Sequence, residues 1–432
     1  MNKLNLGLIG YGNVGTGLVQ LLKERRSFIR QRFNIELVLK TICDRSIHKK
    51  KVAAARSTQL TTDVNGVLRD HAIDVVVELI GGLNPTKEIA FGAIRNNKHL
   101  VTANKELIAE HGKELFKEAI KRNRNVYFEA SVGAGIPIIN AITDGVAGNK
   151  FNGLYGIING TCNFILSEMT KTHCSFAHAL KEAQKRGYAE SNPTKDINGM
   201  DSVHKLAILT FLTTGKFVKP NDIFVEGITN IDHLDIEFAD TRGLIVKLLA
   251  IAKKVNNEIE IRVHPTMIPR KHPLASVNGI FNAIFLNTDP VGDILLYGQG
   301  AGQMTAASGV MSDLINLAVR PKESAAARIE NLSREFSGIK LRKMDQVETK
   351  FYIRFMAVDR PGVLAAISGV LGKYGISISS LNQKIRHRSS AVPIYMLTHP
   401  ANEKMVRLAL EKIAKLQVVK GYPVAIRMEN LS

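Results

Sequence analysis

The sequence predicts an α/β fold with a parallel sheet, a mixed α+β region and a C-terminal module of the ferredoxin-like type. Three observations indicate this: a glycine-rich turn between a strand and a helix, further apolar strands alternating with helices, and a βαββαβ order near the end. The chain has 432 residues, of which 45% are hydrophobic and 22% charged. These values are typical of a globular protein with two or three domains.

The first strand, Leu4–Ile9, leads into the glycine-rich run GYGNVG, and an apolar helix follows. A GxGxxG run between a strand and a helix is typical of a Rossmann-type dinucleotide-binding domain. Gly10 permits the tight turn, Gly12 lets a pyrophosphate approach the backbone, and Gly15 lets helix and strand pack closely. The phosphates would lie at the N-terminus of the helix, next to Asn13 and Val14.

The second strand, Ile35–Cys43, ends at Asp44 and Arg45. An acid at this position suits the ribose 2′-hydroxyl of NAD, whereas an arginine suits the 2′-phosphate of NADP. Because both are present, the cofactor can be NAD or NADP, and Asp44 can equally be a turn or helix-cap residue. We expect the basic segment Lys23–Arg32 to lengthen the first helix.

Further apolar strands, separated by helices, predict a parallel sheet with both faces covered. In such sheets ligands bind beyond the carboxyl ends of the strands. These strands and the residues that follow them are Ile73–Ile80 before Gly81, Leu100–Val101 before Thr102, and Val126–Phe128 before Glu129. Lys105, just beyond Thr102, could bind a phosphate, a carboxylate or a developing oxyanion. The alternative is a solvated loop lysine.

The middle third contains an acid and a lysine at helical spacing. Asp201 and Lys205 share one face of a predicted helix that starts near Asn198. Their ordinary interpretation is a surface ion pair. The functional interpretation makes Lys205 a proton donor to a carbonyl oxygen, with Asp201 holding the lysine or the substrate. Spacing alone favours the ordinary interpretation.

The formal net charge of +19 leaves two interpretations open. One is a surface with many solvated lysines, and the other is a positive field that attracts anionic ligands. We expect no nucleic acid partner, because the basic residues are spread along the chain and Trp is absent. We also expect a cytoplasmic protein without a membrane partner, because no long apolar run, signal peptide or CxxC spacing is present.

Several long motifs together resemble one family, homoserine dehydrogenase, in the monofunctional bacterial form with a C-terminal ACT domain. The resemblance covers nearly the whole chain, and its most specific segment is Gly187–Leu209. The motifs are GYGNVG at Gly10–Gly15, TANKELIA at Thr102–Ala109, EASVGAGIPII at Glu129–Ile139, NGTCNFIL at Asn159–Leu166, GYAESNPTKDINGMDSVHKLAIL at Gly187–Leu209 and GAGQMTAASGV at Gly300–Val310.

The resemblance implies roles for individual residues. Lys205 is expected to protonate the nascent alkoxide, and Asp201 to support the substrate or a bound water. Glu190 is expected to bind the substrate amino group, and the implied substrate-binding set is Glu190, Asp196 and Lys105. The cofactor-binding set, including the glycine motif above, is Gly10, Gly12, Asn13, Val14, Gly15, Asp44, Arg45, Gly81, Thr102, Lys105, Gly187 and Gly302.

The resemblance also implies a structural site for a monovalent cation, Na⁺ or K⁺. Its ligands would be Glu129 and the backbone carbonyls of Val132, Ala134 and Ile136. Three positions depart from the family pattern, so the way in which the loop around Glu190 contacts the substrate stays open. These positions are Asn192, Lys195 and Gln299.

The C-terminal part predicts a separate regulatory module. Residues 321–350 are polar and predict a connecting segment, and residues 351–432 follow the βαββαβ order of a ferredoxin-like domain. The turn DRPGVL at Asp359–Leu364 resembles an ACT domain, which implies an amino-acid effector, with threonine expected. The alternative is a dimerisation domain without a ligand.

Taken together, the motifs predict NAD(P)-dependent reduction of L-aspartate 4-semialdehyde to L-homoserine by a homo-oligomer, a dimer or a tetramer. We predict a dinucleotide-binding domain over residues 1–136, completed by residues 300–320, and a catalytic and dimerisation domain over residues 137–299. The alternative function is an amino-acid-sensing protein on a catalytically inactive dehydrogenase scaffold. A phosphoglycerate-type dehydrogenase finds no support in the segment Gly187–Leu209.

Overall fold

The computed structural model describes residues 1–320, 338–383 and 391–431. Its strands are β1 (Asn2–Ile9), β2 (Ile35–Cys43), β3 (Gln59–Thr61), β4 (Val75–Glu78), β5 (His99–Thr102), β6 (Val126–Tyr127), β7 (Lys150–Ile157), β8 (Phe224–Val225), β9 (Leu244–Val255), β10 (Glu258–Pro269), β11 (Phe281–Asp289), β12 (Gly292–Gln299), β13 (Lys340–Leu341), β14 (Glu348–Ala357), β15 (Ile378–Gln383), β16 (Val392–Thr398), β17 (Ala401–Asn402) and β18 (Val424–Met428).

The α-helices of the same residues range from three to seventeen residues in length. They are α1 (Asn13–Glu24), α2 (Arg26–Phe33), α3 (Val64–Arg69), α4 (Thr86–Arg95), α5 (Lys105–Lys121), α6 (Ile138–Asn140), α7 (Gly160–Thr172), α8 (Phe176–Lys185), α9 (Thr194–Ile197), α10 (Met200–Thr214), α11 (His233–Thr241), α12 (Gln303–Val319), α13 (Val363–Lys373) and α14 (Glu403–Ile413). Within the described ranges no helix is long and apolar enough to cross a membrane.

The chain forms two compact units. Unit 1 consists of the described residues in Met1–Asn152, Val203–Ile223 and Phe281–Ile339. Unit 2 consists of those in Gly153–Ser202, Phe224–Ile280 and Lys340–Ser432. The predicted catalytic segment 137–299 is therefore divided between the units, and the predicted domain limits stay a prediction.

Unit 1 contains the parallel sheet that the apolar strands predict. Its strand order is β3-β2-β1-β4-β5-β6, with every neighbouring pair parallel. This is the doubly wound order of dinucleotide-binding domains, so the Rossmann-type fold is confirmed. Helix α12 packs on α1, and its Ala307, Val310 and Leu314 lie in one apolar core with residues of β1 such as Leu6 and Leu8.

Two helix expectations in unit 1 are wrong in detail. The basic segment Lys23–Arg32 does not lengthen the first helix, because α1 ends at Glu24 and α2 begins at Arg26. The sequence after Pro137 also favours a helix, over Ile138–Gly148, but the chain is α-helical only over Ile138–Asn140 and continues as a π-helical turn over Ala141–Gly145. No glycine or proline lies where α1 gives way to α2 or where α6 gives way to the π-helical turn, so the sequence pattern did not reveal either change.

Unit 2 is built around a mixed sheet with a long hairpin. The strands β9 and β10 are twelve residues each and pair antiparallel along their whole length. The strand β7 pairs antiparallel with β9, and β10 pairs parallel with β18 from the C-terminal module. Mixed strand directions and flanking helices make this region α+β, as predicted.

The C-terminal module of unit 2 has the βαββαβ order of a ferredoxin-like fold. Its four main strands lie in the order β18-β14-β16-β15, all antiparallel, with α13 and α14 buried against one face through residues such as Ile367 and Leu410. Strand β14 begins at Glu348, three residues before the predicted limit. Of the predicted connecting segment, residues 321–337 lie outside the described residues, and Lys340–Leu341 forms β13 beside β10.

Candidate active site

The glycine turn of unit 1 has the geometry that a dinucleotide requires. Gly10 has φ of 101°, in the left-handed region that favours glycine. A Cβ on Gly15 would lie 2.3 Å from the carbonyl oxygen of Gly10, so only glycine lets β1 and α1 approach this closely. A Cβ on Gly12 would meet no atom within 4 Å. Space is therefore open at the N-terminus of α1, where Asn13 and Val14 begin the helix and where a pyrophosphate would bind.

Asp44, at the end of β2, is occupied by hydrogen bonds from the protein. Its carboxylate accepts from the backbone N–H of Tyr11 at 2.9 Å, from Ser46, and from the ammonium of Lys50 at 2.8 Å. Burial raises the pKa of Asp44, but these donors outweigh burial and hold the pKa well below its usual range. Arg45 beside it is exposed. At the end of β2, the charge of the ionised Asp44 is therefore offset by Lys50, and Arg45 adds one further positive charge.

Glu78, at the end of β4, is a buried acid that the sequence interpretation missed. Its carboxylate accepts from the backbone N–H groups of Ile80 and Gly81 and, at 2.6 Å, from the hydroxyl of Thr102. Burial raises the pKa of Glu78 above its ordinary value, although these hydrogen bonds act in the opposite direction. The hydroxyl of Thr102 is thereby turned toward Glu78, so Thr102 would meet a cofactor only through its backbone. The sequence signal that could have revealed Glu78 is an acid at the end of an apolar strand, shortly before two glycines.

Lys105 is the first residue of α5, immediately after the N-cap Asn104. Asn104 accepts from the backbone N–H of Leu107 at 3.1 Å and donates to the carbonyl of Gly82 at 2.6 Å. A cation at a helix N-terminus is unfavourable for the helix dipole. The helix dipole therefore does not account for a lysine at this position.

A buried acid of the loop that was predicted to bind a cation, Glu129, lies beside a second buried acid, Asp313 of α12. The carboxylate of Glu129 accepts from the N–H groups of Ile139 and Asn140, and Asp313 accepts from the backbone N–H of Glu129. Burial raises the pKa of Glu129 to about 7. Burial, and then the neighbouring Glu129, also hold the pKa of Asp313 well above its usual range.

The backbone carbonyls of this loop are only partly available. Val132, Ala134 and Ile136 are all buried, and the carbonyl of Ile136 accepts from the N–H of Ile138 at 2.7 Å. The carboxylate of Glu129 with carbonyl oxygens still fits a hard monovalent cation in the chemistry of its donors. In the ranges 1–320, 338–383 and 391–431, no group of three or more His, Cys, Asp and Glu side chains could hold a metal ion.

In unit 2 a single amide brings two predicted acids together. Asn159 follows β7 and caps α7, accepting from the backbone N–H of Cys162 at 2.8 Å. Its Nδ2 donates to Asp196 Oδ1 at 2.8 Å and to Asp201 Oδ2 at 2.9 Å. Asn159 is absent from the predicted site, although the motif NGTCN marked its position. An asparagine before a helix is read first as a cap, so its second contact was not foreseen.

The predicted substrate loop of unit 2 is exposed. Gly187 has φ of 73°, and the side chains of Glu190, Asn192 and Lys195 lie at the surface. Glu190 is therefore open to an ammonium group, although it is not part of the cluster around Asn159.

In unit 1, Gly302 has φ of 130° and caps α12, and the carbonyl of Gln299 accepts from the N–H of Gly135 at 3.4 Å.

Helix α10 carries both predicted catalytic residues. Asp201 lies in its first turn, and Lys205 follows one turn later on the same face. Lys205 is only 9% exposed. An ordinary surface ion pair would leave the lysine in water, so burial argues against that interpretation. Asp201 belongs to unit 2 and Lys205 to unit 1, and their spacing along α10 is what relates them.

Family models match three successive parts of the chain. The model described as "Homoserine dehydrogenase, NAD binding domain" matches residues 10–129, "Homoserine dehydrogenase" matches residues 137–315, and "ACT domain" matches residues 351–417. Homoserine dehydrogenase of Neisseria gonorrhoeae is 40% identical over all of both chains. The enzyme of Helicobacter pylori is 40% identical over 99% of each chain. The chain belongs to the homoserine dehydrogenase family.

Solved homoserine dehydrogenase structures agree with this membership. The structure from Thiobacillus denitrificans superposes with a TM-score of 0.90 at 40% identity, over 100% of this chain and 99% of that one. A structure from S. aureus at pH 7.5 has a TM-score of 0.79 at 31% identity, over 99% of each chain. The protein is therefore an oxidoreductase, with an NAD(P)-binding domain and a C-terminal ACT domain, as the motifs predicted. The roles of individual site residues stay a prediction.

Proposed function

We propose that Lys205 is the proton donor in the reversible reduction of L-aspartate 4-semialdehyde to L-homoserine. The observation that carries this role is the burial of Lys205, one turn from an Asp201 that Asn159 holds beside Asp196. When bound, the reduced dinucleotide supplies the hydride. Lys205 holds a proton for the oxygen that becomes the alkoxide, and its positive charge stabilises that oxygen. Asp201 would hold Lys205 or the substrate amine, and Asp196 would bind the substrate.

Glu190 would select an amino-acid substrate. Its side chain is exposed, and its charge is opposite to that of the substrate ammonium. Lys105, at the N-terminus of α5, would bind an anionic group of the substrate or the cofactor. In these roles the two side chains bind and orient, and neither takes part in the transfer of the proton.

We infer that the enzyme prefers NADPH over NADH. The carboxylate of Asp44, which would otherwise receive the ribose hydroxyls of NAD, is already held by Lys50 and backbone N–H groups. With Lys50 paired to Asp44, Arg45 leaves this strand end one positive charge in excess, which would favour a 2′-phosphate. A structure of a hyperthermophilic archaeal homoserine dehydrogenase mutant, at 26% identity over 74% of this chain, was solved in complex with NADPH.

Steady-state kinetics with both cofactors tests the reaction and the preference together. NADPH should be oxidised when the semialdehyde is added, with kcat/KM above that for NADH. Lys50→Ala should lower kcat/KM for NADPH by about tenfold or more, the loss of a charge-assisted hydrogen bond, and change the NADH value much less. The matched control is Lys51→Ala, an exposed neighbour. No oxidation of either cofactor would leave an inactive amino-acid sensor as the function.

We propose a structural Na⁺ or K⁺ at Glu129 and the carbonyls of Val132, Ala134 and Ile136. A cation there would offset the negative charge that burial makes costly on Glu129 and Asp313. Exchange of NaCl or KCl for choline chloride at equal ionic strength should lower the thermal midpoint. An unchanged midpoint would contradict the proposal.

We also propose that threonine binds the ACT module and that the enzyme is a homo-oligomer, a dimer or a tetramer. The support is the family match of residues 351–417 and the turn at Asp359–Leu364. Threonine titrated into the full chain should change the rate or the thermal midpoint, and serine is the matched control. Sedimentation velocity should give a mass of two or four chains. A monomer without a threonine response would contradict both proposals.

A further inference from the structure

Unit 2 contains a cavity of about 440 Å³ that none of the predicted site residues lines. Its walls come from β8 through Phe224, from β14 through Phe351, from α14 through Val406 and from β18 through Val424. No residue of the turn Asp359–Leu364 contributes to it. The volume is within the range of small-molecule sites. This cavity is therefore separate from the predicted cofactor and substrate residues and from the turn that resembles an ACT motif.

The floor of the cavity carries more negative than positive charge. The guanidinium of Arg427 is buried and donates to Glu403, with Nε to Oε2 at 2.9 Å, and Nη1 donates to Glu226 Oε2 at 2.7 Å. One cation thus faces two carboxylates. Because Arg427 is shared, one negative charge is left without full compensation inside the cavity.

The uncompensated charge is accessible at Glu226. The side chain of Glu226 is 35% exposed, compared with 9% for Glu403. Within the described part of the chain, only Oε2 of Glu226 has a hydrogen-bond partner. Its second oxygen is free to accept from a ligand. A ligand cation at Glu226 would therefore gain a charge-assisted hydrogen bond without breaking the pair with Arg427.

Aromatic and apolar side chains form much of the remaining wall. Phe224, Phe351 and Tyr422 line the cavity together with Val406 and Leu410. The guanidinium of Arg427 lies 4.9 Å from the centroid of Phe224 and covers one face of that ring. Tyr422 is 62% exposed, so its ring can turn toward a ligand. Aromatic faces beside a carboxylate are the surroundings that proteins use for organic cations.

The charged residues at the rim of the cavity do not reverse its preference for a cation. Arg407 lines it but pairs with Asp345 at 3.1 Å and Glu411 at 3.6 Å, all about half exposed and screened by water. Among the charged lining residues, three acids face two arginines. The balance is negative, although the whole chain carries +19. An anion entering the cavity would face Glu226 without a free cation at the floor.

We propose that this cavity binds a small organic ammonium ion. The ammonium group is received by the open oxygen of Glu226, and the carbon chain lies against Tyr422, Val406 and Leu410. The ligand class is a primary amine with an apolar body of several carbon atoms. Such a ligand would neutralise the excess negative charge and bury the apolar side chains of the cavity wall at the same time.

Calorimetric titration of the full chain with n-butylammonium chloride tests the proposal. Sodium butyrate, with a carbon chain of equal length and opposite charge, is the matched probe. Butylammonium should bind with a dissociation constant on the order of millimolar, and butyrate at least about tenfold more weakly, because opposite charges at Glu226 attract and like charges repel. Equal binding of the two probes, or no binding of butylammonium, would overturn the proposal.

Variants locate the binding. Glu226→Gln keeps an acceptor for Arg427 but removes the charge, and it should weaken butylammonium binding by about tenfold. Tyr422→Ala removes an exposed ring of the cavity wall and should weaken it severalfold. The controls are Glu348→Gln, an exposed acid outside the cavity, and Glu190→Gln, which changes the proposed substrate residue; both should leave the affinity unchanged. If Glu190→Gln abolishes binding, or Glu226→Gln and Tyr422→Ala do not weaken it, the site is elsewhere and the proposal is wrong.

Discussion

Asn159 shows how one neutral side chain can organise a site of two like charges. Its oxygen caps α7 and its amide hydrogens hold Asp196 and Asp201. Two carboxylates brought together repel each other unless a donor lies between them. The amide is such a donor, and it adds no charge of its own.

Asn159→Ser tests this role. Serine is a good helix cap but cannot reach both carboxylates. We expect kcat/KM for the semialdehyde to fall by about 10- to 100-fold, equivalent to the loss of one or two hydrogen bonds to charged groups, while the thermal midpoint changes little. The control is Ser175→Asn, an exchange of one good cap for another on α8. A value of kcat/KM within twofold of the original enzyme would contradict the role.

His99, at the start of β5, predicts acid sensitivity. Its Nδ1 accepts from the backbone N–H of Asn125 at 3.0 Å, so the ring is bound in its neutral form. Burial, and then the nearby charge of Arg124, lower the pKa of His99 to about 4. Between about pH 4 and 6.5 the unfolded chain binds a proton at this residue and the folded chain does not. The free energy of unfolding therefore falls as the pH falls through this range.

Urea unfolding of the original protein and of His99→Gln, from pH 7 to pH 4, measures this contribution. As the pH falls from 7 to 4, the free energy of unfolding of His99→Gln minus that of the original protein should rise by on the order of 3 kcal/mol. His178→Gln, an exposed histidine, is the control and should show no such shift. A pH-independent difference for His99→Gln would show that His99 does not titrate as its contacts indicate.

The residue scale also shows what the sequence could predict of the site. The glycine turn was predictable because its geometry requires one residue type at one spacing. Lys205 was singled out only by the family motif, since its spacing alone favours a surface ion pair, and its role stays a prediction. Glu78 and Asn159 were missed because each first has a local explanation, a strand-end acid and a helix cap. Their further contacts, with Thr102 and with two acids from other segments, depend on tertiary structure that a local pattern does not contain.

At the scale of elements, a buried ion pair joins the ACT module to the rest of unit 2. Asp235 of α11 is fully buried and accepts from Arg354 of β14 at 2.7 and 3.1 Å and from the hydroxyl of Tyr352 at 2.7 Å. A buried carboxylate is stable only while such partners remain.

Arg354→Met leaves the charge of Asp235 buried with one side-chain donor fewer. We expect a loss of about 3–5 kcal/mol in the free energy of unfolding, as for other broken buried pairs. Arg186→Met, which breaks an exposed pair with Glu182, should cost less than about 1 kcal/mol. Chemical denaturation of both variants gives the comparison. Equal losses would mean that Asp235 does not depend on Arg354.

Elements with one clear periodicity were predictable, and long apolar runs were not. Strand β2 has the predicted limits, because turn residues bound a short apolar run there. Helix α10 was predicted to start near Asn198 and begins at Met200, whereas helix α7 was not predicted. The hairpin of β9 and β10 was not predicted, because the run LIVKLLAIA fits a buried helix as well as a strand. Pairing with β10 decides between them, and pairing is not a local property.

At the scale of the whole molecule, the order of domains was predictable but the compact units were not. Residues 203–223 and the described residues of 281–339 belong to unit 1 although the segments between them belong to unit 2. Such alternation between units leaves no local trace in composition or periodicity. The match of nearly the full chain to one family nevertheless follows from motifs spread over all three predicted parts.

The account as a whole depends on proton donation by Lys205. The most direct test is steady-state oxidation of NADPH by Lys205→Ala with L-aspartate 4-semialdehyde, with NADPH affinity measured separately by fluorescence titration. Loss of a general acid should lower kcat by about 10²- to 10⁴-fold, while the dissociation constant for NADPH stays within about threefold, since the cofactor residues are unchanged. A turnover rate close to that of the original enzyme, with NADPH still bound, would contradict the account.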